Sequence, residues 1–399
     1  MFWHVLHIID IILWLFVAVS VGYILFFALV STLWKKRVST LTLYLTGKAL
    51  SMRRKEFFTY LVLYPAYNED RVIVNSVKKF LEQYYSLKHF HVVVISDHMQ
   101  PETNQQLSQL PITLLQPVFE KSSKAKAMQY AMDQIKAPYD YVIILDADNV
   151  VEPDFLQKLN EECAKGYKAI QCHRCAKNSD NDIAVLDGVS EEINNTIFRK
   201  AHNRAGLSSA LIGSGMCFDY EWFKHNVYKL TTAGEDRELE ALLLKQKVYI
   251  HYEPDIHVFD EKVSNKDNFQ KQRLRWMTAQ IQSFFNLLPY IPRAIATFNL
   301  DYIDKTLQQT LIPRSMLVVL TLGMAFMMTI ISRVWCLKWW LLFLCVCIAL
   351  YIAMPKQMRK NSVFGKILSL PSLVWKMVMN ILKIDRKNTD FIHTTHDKE

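Results

Sequence analysis

Apolar positions along the chain follow two different rhythms. Three runs are apolar almost throughout: Ile11 to Trp34, which carries no charge, Ser315 to Ser332, and Val334 to Met354, which contains only Lys338. Each is long enough to cross a bilayer as a helix, so three spans are predicted. Between about residue 57 and residue 260, short apolar runs alternate with amphipathic stretches, the signature of βα units around a mostly parallel sheet. The predicted strands are Tyr60 to Tyr64, His91 to Ser96, Ile112 to Leu115, Tyr141 to Leu145, Lys168 to Gln171 and Val248 to Tyr252. Helices such as Arg71 to Tyr84 and Lys124 to Gln134 fall between them, and no repeat or low-complexity segment interrupts the pattern.

A helix that begins polar is expected from Asp267 to Leu288, after which Pro289, Pro292 and Pro313 break the path to the second span. That stretch mixes Phe284, Phe285, Tyr290, Phe298 and Tyr302 with Arg293, Asp301, Asp304 and Lys305, a composition suited to a membrane surface. Ile367 to Leu382 is a second interfacial candidate; Lys366, Lys376 and Lys383 disfavour reading it as a fourth span. The expected organisation is a membrane anchor (1–37), a juxtamembrane linker (38–56), a cytoplasmic catalytic domain (57–280), an amphipathic interface segment (281–314), two transmembrane helices (315–354) and a cytoplasmic amphipathic helix with a tail (355–399).

A hydrophobic fraction of 51% agrees with a chain divided between water and lipid. No Lys or Arg precedes the first span, and Lys35-Lys36-Arg37 follows it, which reads as an anchor and not a cleaved signal. That cluster, with Arg53, Arg54 and Lys55, places the following domain in the cytoplasm and the N-terminus outside, in a multi-pass protein of the plasma (inner) membrane. Lys356, Arg359, Lys360 and Lys366 agree, while Arg333 and Lys338 in the short outer loop run against the rule. The net charge of +9 matches no nucleic-acid-binding motif and concentrates beside the spans, so the expected anionic partner is lipid and not nucleic acid. Disulfides are not expected among cytoplasmic Cys163, Cys172, Cys175 and Cys217. Cys172 and Cys175 have metal-like spacing but lack a second pair, and read as two half-buried thiols.

The strand Tyr141 to Leu145 empties into Asp146-Ala147-Asp148. Ligands of open α/β sheets bind beyond the carboxyl ends of the strands, and a hard divalent cation held by one or two carboxylates completes its shell with water and phosphate oxygens. A metal diphosphate is the simplest ligand; capping of the helix near Pro153 is the plainer alternative. The first strand ends in Pro65-Ala66-Tyr67-Asn68-Glu69 and the second in Asp97-His98, lining the same edge. Neither a GxGxxG nor a Walker A loop is present, so a metal and basic side chains must replace backbone amides around the diphosphate. Gly234-Glu235-Asp236 opens a helix, and Gln272, Arg275 and Trp276 share a face of another, offering an amide, a guanidinium for phosphate and an aromatic platform for sugar. The plainer alternatives are a helix-capping or solvent-facing role for His98, a structural one for His257, a solvated face for Lys124 and Lys126, core for Trp276, which its company with Gln272 and Arg275 disfavours, and a tail for His393 to His396.

Taken in order, Pro65 to Glu69, Asp97, Lys124-Ala125-Lys126-Ala127, Asp146-Ala147-Asp148, Gly213-Ser214-Gly215-Met216, Gly234-Glu235-Asp236 and Gln272-x-x-Arg275-Trp276 give roughly residues 60–280 a clear likeness. The chain resembles membrane-integrated glycosyltransferase family 2, the family of cellulose, chitin, hyaluronan and poly-N-acetylglucosamine synthases. The resemblance implies a GT-A-type, Rossmann-like α/β domain with helices on both faces of the sheet, inverting chemistry, a UDP-sugar donor and Mg²⁺ or Mn²⁺. It implies donor contacts at Ala66, Tyr67, Glu69, Asp97, Lys126, Asp146, Gln272 and Arg275, and metal ligation by Asp146 and, more directly, Asp148. It further implies Asp236 as catalytic base and an acceptor site formed by Gly213, Ser214, Gly215, Glu235 and Trp276.

Two departures from the family pattern stand out. Gly234 occupies a position where the family often has Thr, and three spans are few beside the channel-forming polymer synthases. Extension of a polysaccharide, with a channel partner or homo-oligomer, and transfer of one sugar to a lipid-linked acceptor both remain open. A silent nucleotide-binding subunit is a third reading.

Overall fold

The computed structural model describes residues 2–34, 55–178, 182–232, 234–262 and 266–359. The basic cluster Lys35-Lys36-Arg37 with Arg53 and Arg54, the 367–382 stretch and His393 to His396 lie outside the described residues.

Eight strands form one sheet: β1 (Tyr60–Tyr67), β2 (Phe90–Asp97), β3 (Thr113–Leu115), β4 (Tyr141–Ile144), β5 (Val150–Val151), β6 (Ala169–Ala176), β7 (Met216–Asp219) and β8 (Ile250–Asp260). Their order is β3-β2-β1-β4-β7-β6-β8-β5. The first four are mutually parallel, and β6 and β8 are parallel to each other. The short strands β7 and β5, for which the periodicity gave no signal, run antiparallel to their neighbours. The sheet is therefore mixed, and the reversal has a purpose. β7 pairs Met216 with Ile144, so the Gly213-Ser214-Gly215 loop enters the sheet at the same edge where β4 delivers Asp146.

Central strands with both faces covered are apolar at nearly every position. Alternate residues of β1 go to opposite sides. Tyr60, Val62 and Tyr64 meet Ile73, Val77 and Phe80 of the helix Ile73–Leu81 and Phe155, Leu156 and Leu159 of the helix Phe155–Ala164. Leu61 and Leu63 meet Met128 and Ala131 of the helix Lys124–Gln134 and Leu239 and Leu243 of the helix Glu235–Lys245. Helices thus cover both faces, as in a GT-A-like α/β domain. Ser123 starts the first helix of the second layer by accepting a hydrogen bond from the Lys126 amide, and this cap aims Lys124 at the strand edge.

Among the described residues, three helices are long and apolar enough to span a membrane: Trp3–Leu33, Arg314–Ile331 and Trp335–Ala353. The first begins earlier than its apolar run suggested and takes in Asp10. Asp10 is buried, pairs with Lys338 and accepts a hydrogen bond from Trp339 Nε1 at 2.7 Å. Lys338, which ran against the charge rule in sequence, therefore meets an opposite charge inside the bundle.

Residues 182–212 had no assigned element. The helix Asp182–Asn194 continues through a π-helical stretch, Asn195–Ala201, and packs Val189, Ile193 and Ile197 against the membrane helices. At its end, His202 stacks on Phe27 at 3.8 Å and shares the Tyr23 hydroxyl with Asp304. The expected interfacial segment folds as short helices, Ile291–Ala296 and Leu300–Thr310. Tyr302 is buried in the same apolar cluster as Leu239 and Leu243 of the α/β domain and Lys305 pairs with Glu240 at 2.7 Å, while Ile295, Phe298 and Leu300 remain exposed.

Candidate active site

The register of β1 and β2 puts Tyr67 beside Asp97 at the carboxyl edge of the sheet. Ala66 and Asp97 are buried, Tyr67 is half-buried, and Glu69 follows in the loop, its amide directed at Met99 Sδ. Asn68 and His98 leave their strands with φ of +53° and +57°, a left-handed turn that side chains other than glycine adopt at a cost. His98 Nδ1 lies 2.6 Å from Asp97 Oδ1, and its ring is 5.4 Å from that of Tyr67, so this histidine belongs to the edge and is not a stray surface residue.

One strand over, Asp146 follows β4. Lys124 Nζ donates to Asp146 Oδ1 at 2.5 Å and to the Gly213 carbonyl at 2.6 Å, and lies 3.7 Å from Glu235 Oε1. Burial alone would lower the Lys124 pKa, but Asp146 and Glu235 outweigh it and raise it. Glu235 moves the other way for a carboxylate: burial, with Asp236 and Asp146, pushes it up to about 7, against the pull of Lys124. Asp236 opens the helix Glu235–Lys245, and its Oδ1 accepts the Arg237 amide at 2.8 Å. Gly213, at φ +80°, backs onto Asp236, while a side chain on Gly215 would meet Val258 Cγ2 at 3.0 Å. Gly213 is required by its left-handed backbone, and Gly215 by both its φ of +63° and the close approach of Val258.

Asp148 is buried and held on both oxygens: Asn149 Nδ2 reaches Oδ1 at 3.0 Å and the Glu261 amide, just past β8, reaches Oδ2 at 2.7 Å. Asn149, fully buried, also accepts the Asp146 amide at 3.0 Å and the Ser214 hydroxyl. It ties the acidic strand end to the glycine loop, a role the sequence reading missed although Asn149 directly follows the motif. Arg174 was missed as well. Its guanidinium lies 3.3 Å from both Asp260 and Glu191, and the carboxylates around it, led by Asp260 and Glu191, raise its pKa against the opposing effect of burial.

The helix Lys266–Leu287 carries Gln272, Arg275 and Trp276, all half-buried. Ala279, one turn on, is the nearest neighbour of Gly234: a Cβ there would lie 3.7 Å from Ala279 Cβ. The shared face of residues 272, 275 and 276 thus runs toward the loop that delivers Asp236. Lys126 is not part of this assembly; it is exposed and donates to the Lys121 carbonyl at 2.8 Å. Lys124 is the lysine of the pair that reaches the carboxylates. His257 lies 3.3 Å from Glu152, outside the cluster. Cys172 is buried, Cys175 half-buried, and no cysteine forms a disulfide.

The donors at this edge are oxygens from Asp146, Glu235 and the Gly213 carbonyl, gathered around one ammonium, with Asp148 beside them. A set that already surrounds a cation through oxygen fits a hard divalent ion.

The sequence profile of the family described as "Glycosyl transferase family group 2" matches residues 141–354, more than half of the chain. The chain belongs to that family. The match runs from the strand carrying the acidic pair through the helix Trp335–Ala353, so it takes in two of the helices apolar enough to span a membrane. No curated protein matches by sequence. Among solved structures, the mannosyltransferase PcManGT from Pyrobaculum calidifontis, in complex with GDP-Man and Mn²⁺, superposes with a TM-score of 0.59 at 15% identity. The superposition covers 94% of this chain and 99% of that one, and gives the family member a GT-A-like fold. The S. aureus protein TarS 1–349, in complex with UDP-GlcNAc, gives a TM-score of 0.40 at 14% identity over 81% of this chain and 89% of its own.

Proposed function

We propose that this chain is a membrane-bound, metal-dependent, inverting glycosyltransferase that takes a nucleoside-diphosphate sugar and uses Asp236 as its base. The carrying observation is the meeting of Asp146, Glu235, Asp236 and Gly213 around Lys124, contributed by four separate segments. Structural ion pairs do not require a glycine at φ +80° backed onto a carboxylate at the open edge of a sheet.

In this reading Ala66, Tyr67, Glu69 and Asp97 hold the nucleoside, and Asp146 and Asp148 hold Mg²⁺ or Mn²⁺ against the diphosphate. When bound, that ion offsets charge on the leaving diphosphate. Asp236 accepts the proton of the acceptor hydroxyl as its oxygen bonds to the anomeric carbon; the bond to the diphosphate breaks on the opposite face, which inverts the centre. Gln272 and Arg275 supply donors to the diphosphate, and Trp276 floors the acceptor site. Glu235, with its raised pKa, is suited to hydrogen-bonding the acceptor in either protonation state. The GDP-Man and Mn²⁺ of the structurally similar mannosyltransferase are in keeping with a metal-bound nucleotide sugar, and they extend the donor question from UDP to GDP sugars.

The membrane helices favour transfer of a single sugar to a lipid-linked acceptor over secretion of a polymer. Among the described residues, the three long apolar helices share a core filled by Val17, Ala28, Leu317, Ala325, Trp339 and Ala349. The test is nucleoside-diphosphate release by the full-length protein in detergent, screened over UDP- and GDP-sugars with Mg²⁺ or Mn²⁺, followed by product sizing. Asp236→Asn turning over as fast as wild type would remove the mechanism, and long products from a single protomer would remove the single-transfer reading.

A further inference from the structure

A second constellation sits at the opposite edge of the sheet, where β8 begins. His251 and Glu253, two residues apart on β8, share a face, and Glu162 reaches them from the last turn of the helix Phe155–Ala164. All three are more than nine-tenths buried. His251 Nε2 lies 3.3 Å from Glu162 Oε2 and 3.5 Å from Glu253 Oε2. We propose that Glu162, His251 and Glu253 form a structural zinc(II) site that pins the helix following the acidic motif to the start of β8.

Three observations carry this. First, His251 Nε2 and Glu162 Oε2 are both buried without a hydrogen bond, although they lie close enough for one. Their 3.3 Å contact is that of an ion pair and leaves both buried atoms short of the well-formed hydrogen bond such groups ordinarily make. Second, metal bonds of about 2.0–2.2 Å in a tetrahedral shell set neighbouring ligand atoms roughly 3.3–3.5 Å apart, the separations of His251 Nε2 from the two carboxylates, and all three ligand atoms lie within 4.8 Å of one another. Third, each ligand is held from outside. Lys165 Nζ grips Glu162 Oε1 at 2.5 Å, the Asp255 amide donates to Glu253 Oε1 at 3.2 Å, and Tyr167 stacks on the His251 ring at 3.9 Å with planes 3° apart. Both carboxylates turn their Oε2 atoms inward, the arrangement that outer-shell partners impose around a metal.

One imidazole and two carboxylates suit zinc, with a small fourth ligand such as water. The site lies across the sheet from the catalytic edge and does not depend on the proposed reaction. It does bear on it: β8 ends at Asp260, the next residue, Glu261, holds Asp148 through its amide, and the pinned helix follows the same motif.

The test is metal retention. The full-length protein in detergent is loaded with zinc chloride, desalted and analysed by inductively coupled plasma mass spectrometry, alongside His251→Gln, Glu253→Gln and Asp148→Asn. Wild type and Asp148→Asn are expected to keep about one zinc per chain, and the two ligand variants to keep at least roughly tenfold less. Because Asp148→Asn disables the proposed catalytic metal position, its retained zinc separates this site from that one. No zinc retained by wild type, or full retention by folded Glu253→Gln, overturns the proposal and leaves a buried ionic cluster. If the ligand variants do not fold, cobalt(II) added to wild type decides: intense tetrahedral visible bands support the site, and their absence refutes it.

Discussion

Gly213 and Asp236, from segments separated by β7 and the helix Tyr220–Asn226, face one another: a Cβ built on Gly213 would lie 3.7 Å from Asp236 Oδ2. The contact leaves space for alanine but not the conformation, because φ is +80°. Gly213→Ala should therefore cost roughly 1–2 kcal/mol through the left-handed backbone and not through a clash. Circular-dichroism melts would show that cost, with turnover falling as the loop carrying the Lys124 acceptor shifts. A variant as stable and as active as wild type would refute the constraint.

Asp236→Asn keeps the side chain's shape and removes its basicity. Turnover should fall by roughly 10²- to 10⁴-fold, the usual range for a positioned base, while donor affinity changes little. Calorimetry of nucleotide-sugar binding beside a turnover assay separates the two effects. Asp148→Ala should behave in the opposite way, with loss of metal-dependent donor binding itself.

The raised pKa of Glu235 has a definite sign in stability. Its ordinary value is 4.5 and its folded value about 7, so within that window the folded chain binds the proton that the unfolded chain has released. Stability from this group is fully present below pH 4.5 and is lost as pH rises toward about 7. Glu235→Gln should flatten that decline in the melting temperature. Lys124→Met should carry the Glu235 ionisation to higher pH, because Lys124 is what holds it down; a downward shift in a pH titration would contradict the geometry.

Gly234→Thr, which restores the residue common in the family, is predicted to be tolerated. The nearest atoms to a new Cβ are Ala279 Cβ at 3.7 Å and Arg237 Cδ and Thr232 Oγ1 at 3.9 Å, and the position caps a helix, where threonine and glycine differ by only a few tenths of a kcal/mol. Turnover is expected to stay near wild type; collapse of activity would mean that the loop has to approach Ala279 more closely during catalysis.

Lys338→Met should leave Asp10 buried without its partner inside the helix bundle, at a cost of roughly 3–5 kcal/mol. The double variant Asp10→Asn with Lys338→Met should recover most of it. Thermal unfolding in detergent measures both, and equal loss in the single and double variants would show that the pair contributes nothing.

What the amino-acid order determined by itself is what depends on near neighbours in the chain. The strands β1, β2 and β4 and the three apolar helices are legible because burial on both faces of a sheet, or in lipid, demands an unbroken apolar run. The acidic pair is legible because it follows such a run at once. Short strands such as β7 are not, since four residues between loops carry no periodicity, and neither is the helix Asp182–Asn194, whose apolar face matches membrane helices far away in sequence. Tertiary structure alone decided that Lys124 and not Lys126 meets the carboxylates, that Asp10 answers Lys338, and that Gly234 rests on Ala279. Each is a contact between distant segments, set by strand register and helix packing. Local pattern records whether a residue is buried, while its partner is chosen only when the layers close on one another.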